Sequence, residues 1–208
     1  MPWGEGVGPT TEEQTRAPGG RDPQARLDSW IYRNREGLKS FLRVAFGLVW
    51  GIDGAFKFAP GLVDAFPGMV QDAGAGQPAW LQGWFSFWGA QASQNPAFWV
   101  YSTGALELAV AAALLLGFAR KIAYGGGAIL SLFIWAVPEG FGGPYGPGST
   151  DIGTGVIYAF AFLLLMIVNA TYGPSRYSLD RLIERRWPAW QRIAEIRGPW
   201  TGRGPDER

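Results

Sequence analysis

Four runs of this chain are apolar for close to the thickness of a bilayer, and they constrain its fold more than any other feature. They are residues 41–60 (FLRVAFGLVWGIDGAFKFAP), 97–118 (AFWVYSTGALELAVAAALLLGF), 122–138 (IAYGGGAILSLFIWAVP) and 152–172 (IGTGVIYAFAFLLLMIVNATY). A membrane-crossing helix needs about 20 predominantly apolar residues. Hydrocarbon offers no partner to a bare peptide group, so each run crosses as a helix that closes its own backbone bonds. The sequence therefore predicts an all-α membrane protein, a four-transmembrane-helix bundle over residues 37–176. Residues 1–36 contain no apolar core long enough for a cleavable signal peptide.

The cations set the topology, because Lys and Arg are retained on the cytoplasmic side. Sixteen of the eighteen lie before the first run, between the second and third, or after the fourth. The connections 61–96 and 139–151 carry none, only Asp64, Asp72, Glu139 and Asp151. Both termini are thus expected in the cytoplasm of a prokaryotic plasma membrane, with the chain passing four times.

The flanks read differently. Residues 1–23 are rich in Gly and Pro with little apolar mass, the composition of a disordered tail, and residues 24–40 are basic enough to lie against anionic headgroups. In the longer outer connection, Trp80, Leu81, Trp84, Phe85 and Trp88 recur on one helical face. Tryptophan favours the headgroup zone, which predicts an outer interfacial helix over residues 79–94. Residues 178–197 form its inner counterpart, a C-terminal amphipathic cytoplasmic helix within the basic tail 177–208. Ser178 is its cap, Asp180 sits in its first turn and Pro188 bends it. Such a helix lies on the inner leaflet or docks a partner subunit. Its arginines do not point to nucleic acid.

Ionisable groups in a span cost roughly 2.5–3.5 kcal/mol each at mid-membrane, so each calls for a reason. The first run holds Arg43, Asp53 and Lys57 and the second holds Glu107. Asp53 and Lys57 are spaced i, i+4 with the acid first, the favourable order for a pair along a helix. Arg43 and Lys57 are long enough to snorkel to opposite surfaces, whereas Asp53 must face protein or water. At about 1.5 Å per residue, Asp53 and Glu107 reach similar depths near the bilayer centre. A helical hairpin would gather both carboxylates and Lys57 into one cluster, either as glue between helices or as a proton or ligand site.

The chain has no His and no Cys. That excludes thiol catalysis and Ser–His triads and leaves little means of holding a metal, a haem or an iron–sulfur cluster. Small residues suit close helix contact: Gly47, Gly51 and Gly54 in the first run, Gly125 to Gly127 in the third, Gly155 with Ala159 in the fourth. The loop PEGFGGPYGPGSTD at 138–151 ends in Ser149, Thr150 and Asp151, a capping signature. With Glu139 and Asp151 it either forms a tight turn or lines a site.

Taken in order, Arg43-x3-Gly47-x2-Trp50-x3-Gly54-x2-Lys57, the Glu107-Leu108 pair leading to LLLG at 114–117, and GPSRYSLD at 173–180 resemble the DoxX/DoxD family of small four-span membrane proteins. The outer loop is most similar to the DoxD branch, the small subunit of thiosulfate:quinone oxidoreductase. The likeness covers about residues 40–180. It implies a membrane subunit that passes electrons from thiosulfate oxidation to quinone, beside a second oxidoreductase subunit or further copies of itself. On that view Trp50, Trp99 and Trp135 flank a quinone headgroup and Glu107 or Asp53 takes its protons, with Arg43, Lys57, Glu139 and Asp151 completing the binding set. The competing expectations are a non-catalytic membrane anchor or assembly factor and a small-solute transporter that uses Asp53, Lys57 and Glu107.

Overall fold

The computed structural model describes residues 23–145, 151–173 and 177–196. Among these the chain is all helical: α1 (Pro23–Phe56), α2 (Leu62–Gly74), α3 (Gln82–Gln94), α4 (Pro96–Leu116), α5 (Arg120–Ala136), α6 (Thr154–Tyr172), α7 (Leu179–Arg186) and α8 (Gln191–Ala194), with single 3-10 turns before α3, after α5 and before α8. The tail at 1–22 and the loop caps Ser149 and Thr150 lie outside the described residues.

Two compact units divide after Arg35. In the described part of the first, α1 is supported locally: Ser29 Oγ donates to the Arg26 carbonyl, Asn34 Nδ2 to that of Trp30, and the Arg35 guanidinium lies over the Tyr32 ring at 4.2 Å.

In the second unit, glycines set the helix spacing. A Cβ on Gly47 would stand 3.0 Å from Leu114, one on Gly54 3.0 Å from Glu107, and one on Gly104 2.7 Å from Lys57, so α1 and α4 run in close contact. A Cβ on Gly127 would enter the Phe162 ring at 2.3 Å, and one on Gly155 would meet the Ser131 carbonyl oxygen at 2.6 Å, which locks α5 to α6. Gly125 and Gly126 face open space, so of the three consecutive glycines only Gly127 serves a contact. Trp50, Leu114, Tyr124 and Phe162 close the core, and Phe46 meets Phe162 edge-on at 4.8 Å.

α4 and α6 are long and apolar enough to cross a membrane. Only 28% and 22% of their most apolar stretches are buried, unlike the core helices of a water-soluble fold. Large apolar side chains stand exposed along neighbouring helices too, including Leu48 and Ile52 on α1 and Ile129 on α5.

Three sequence-based boundaries shift. α1 does not begin at residue 41 but is already helical from Pro23, and it ends at Phe56. The connection 61–96 folds into two helices, α2 and α3, rather than one. Their contact is tight, with Phe85 on α3 lying 2.7 Å from where a Cβ on Gly74 would sit. The segment 178–197 breaks at Trp187–Pro188 into α7, a 3-10 turn and the short α8, because proline ends the ladder.

Candidate functional site

Between the end of α1 and the α2, α3, α4 and α5 helices lies a cavity of about 300 Å³. Its apolar wall includes Trp88 from α3, Trp99 from α4 and Phe133 from α5, and its polar groups include Lys57 and Glu139. The aromatic wall is built edge to face: Trp88 meets Trp99 at 5.3 Å and Phe133 at 5.0 Å between ring centres. Such a volume, mostly apolar with a few convergent polar groups, is the usual form of a small-molecule site.

Lys57 joins this cavity to the Asp53 and Glu107 carboxylates. Its Nζ lies 3.4 Å from Asp53 Oδ1 and 3.4 Å from Glu107 Oε2. Glu107 is completely buried, Lys57 is partly covered and Asp53 is 41% exposed. Lys57 therefore turns inward to two carboxylates instead of snorkelling to a surface. The Glu107 oxygens have no hydrogen-bond partner among the described residues, so the ammonium is what offsets their burial.

The remaining predicted residues scatter. Trp50 is buried in the core among Phe46, Tyr158 and Phe162 rather than on the cavity wall. Trp135 points to the following loop, its Nε1 donating to the Ile152 carbonyl at 2.7 Å and its ring meeting Phe141 edge-on. Glu139 lines the cavity and also accepts the Gly155 N–H at 2.8 Å, fixing the start of α6. Burial pushes its carboxyl above the ordinary range, and the Gly155 N–H partly offsets this. Asp151 accepts the Gly153 N–H at 2.7 Å, the role of a turn residue. Arg43 lies mid-way along α1, at the opposite end of the bundle beside the α4–α5 turn, where its Nη2 donates to the Tyr177 carbonyl at 2.7 Å and its guanidinium presses on Gly117.

That opposite end holds a charge centre the sequence reading missed. Arg120, 1% exposed, donates through Nε to Asp180 Oδ2 at 2.9 Å, bonds Glu195 through Nη2 and lies 3.8 Å from Glu184. Asp180 is completely buried in the first turn of α7, as expected, and also serves a second helix. Its carboxylate accepts the Ala119 and Arg120 N–H groups at 2.7 and 3.1 Å, capping α5, and the Trp190 Nε1–H at 2.8 Å. Asn169 on α6 donates to Glu195 at 3.2 Å. Burial beside a second carboxylate pushes Glu195 up to about 7, against the pull of Arg120, and burial raises Glu184 as well. The one visible signal was Asn169, an amide inside an otherwise apolar run.

Comparison of the chain with protein-family models, with curated proteins and with solved structures finds no match.

Proposed function

We propose that this chain is a membrane subunit of a quinone-linked oxidoreductase, with α1, α4, α5 and α6 as four spans, both termini cytoplasmic, and the cavity at the α2–α3 end as the quinone site. The cavity carries the reading. Its aromatic wall suits a flat, lipid-soluble ring, and Lys57 and Glu139 offer a donor and a proton-exchanging group to ring oxygens. The exposed apolar side chains on all four helices support a lipid setting. Quinone would supply the two-electron chemistry; Lys57, held between Asp53 and Glu107, would orient it and move protons. Thiosulfate is the donor suggested by the sequence resemblance.

The test is purification in mild detergent, followed by extraction and mass spectrometry of bound lipid and by assay of thiosulfate-dependent quinone reduction in the co-purified complex. Stoichiometric quinone, lost on Trp99→Ala or Phe133→Ala at normal expression, is the expected result. Protein free of quinone that also fails to bind an added short-chain analogue would end the proposal.

A further inference from the structure

The segment after α6 sorts its charges. Among the described residues after α6, the acids Asp180, Glu184 and Glu195 turn to Arg120, while Arg185, Arg186 and Arg192 are exposed. Among these exposed cations stand Leu182, 61% exposed, Trp187, 68% exposed, and Ile193. The outward face of α7 and α8 is therefore cationic and apolar at once, with the acids of these two helices and Glu195 withdrawn. It also joins the apolar belt of the helices. Trp190 rests on Phe118 just after α4, and Lys121 Nζ donates to the Arg192 carbonyl at 3.3 Å beside the exposed Ile122.

We propose that this face, made by Leu182, Arg185, Arg186, Trp187, Arg192 and Ile193, seats on the anionic headgroups of the leaflet around the bundle, and that Arg120 is the positioning residue that presents it. Charge complementarity identifies the occupant. Arginines interleaved with Trp, Leu and Ile match a surface that is negative outside and apolar a few ångströms deeper. Each cation near such a surface strengthens attachment about fivefold at moderate salt. Three of them, with Asp180, Glu184 and Glu195 turned to Arg120, distinguish anionic from zwitterionic lipid. The inference rests on the membrane-spanning reading but not on the quinone reading.

Because the chain has no Cys, a single introduced one carries the only label. An environment-sensitive fluorophore is placed on Leu182→Cys, and separately on Ile129→Cys as a bilayer control, Ile129 being 72% exposed in the middle of α5. The full chain is reconstituted in nanodiscs of phosphatidylcholine with or without phosphatidylglycerol, some containing spin-labelled lipid. The expected result at position 182 is a blue shift and strong quenching with the anionic lipid. Both should fall by about half or more without it, in about 1 M salt, or in the Arg185→Gln/Arg186→Gln/Arg192→Gln variant. Arg120→Met should abolish the position-182 signal while leaving that at 129 intact. An aqueous label at 182 in both lipids, with 129 quenched, overturns this proposal alone. The same holds if protection at 182 requires a co-purifying protein rather than anionic lipid. An unquenched label at 129 overturns the membrane reading as well.

Discussion

Lys57 stands 3.4 Å from the completely buried carboxylate of Glu107, so one partly covered ammonium compensates a group whose oxygens find no other partner among the described residues. Removing one partner of a buried pair costs more than removing both. Lys57→Met is therefore expected to destabilise the bundle by about 2 kcal/mol, and Glu107→Gln by less. The double variant should cost less than the sum of the two. Asp53→Asn should change little, since that carboxylate is 41% exposed. Thermal unfolding of the four variants in one detergent checks the order; strictly additive losses would show that the pair is not coupled.

Gly127 and its two predecessors make an internal control for helix spacing. Gly127→Ala pushes a methyl group into Phe162 and should cost about 1–3 kcal/mol. Gly125→Ala and Gly126→Ala meet nothing within 4 Å and should be neutral or stabilising, by up to about 1 kcal/mol from helix propensity. Melting temperatures of the three single variants decide it.

α4 and α6 could be read from the sequence because hydropathy along a run is a local property. The cluster of Asp53, Lys57 and Glu107 was also within reach, since i, i+4 spacing and depth counting are short arithmetic. The start of α1 was not, because residues 24–40 are polar, and a hydropathy reading stops where the apolar residues stop even when the helix continues. α2 was obscured by Pro67 inside it, a residue that usually marks a helix end. Arg120 looked like a simple orientation signal. Its partners Asp180 and Glu195 lie 60 and 75 residues further along the chain, and no local pattern joins them. Asp180 in particular reads as a first-turn acid of its own helix, which it is, but its second role as the cap of α5 leaves no local mark.

Glu195 gives the docked C-terminal segment a pH dependence. Its carboxyl, raised from 4.5 to about 7 in the fold, binds a proton more tightly folded than unfolded. Between those values the folded state holds more protons, so docking weakens as pH rises and levels off above about 7. Arg120, Glu184, Asn169 and, from α1, Lys39 surround the group and belong to the same balance. Hydrogen exchange across residues 179–196 should be slower at about pH 5.5 than at about pH 8 after correction for intrinsic rates. Glu195→Gln should flatten the difference; an unchanged pH response in that variant would place the effect elsewhere.

Trp88 separates shape from hydrogen bonding in the cavity wall. Its Nε1 is buried without a partner among the described residues, while its ring meets both Trp99 and Phe133. Trp88→Phe removes an unsatisfied donor and keeps most of the ring packing, so the melting temperature should hold or rise. Trp88→Ala removes the packing itself and should cost about 3 kcal/mol. If the wall recognises a flat ring by stacking, a short-chain quinone analogue should bind the Phe variant within about threefold of the parent and the Ala variant at least tenfold more weakly, a difference of about 1.4 kcal/mol or more. Equal weakening in both would mean that the indole N–H, released from its buried position, takes part in binding the ligand.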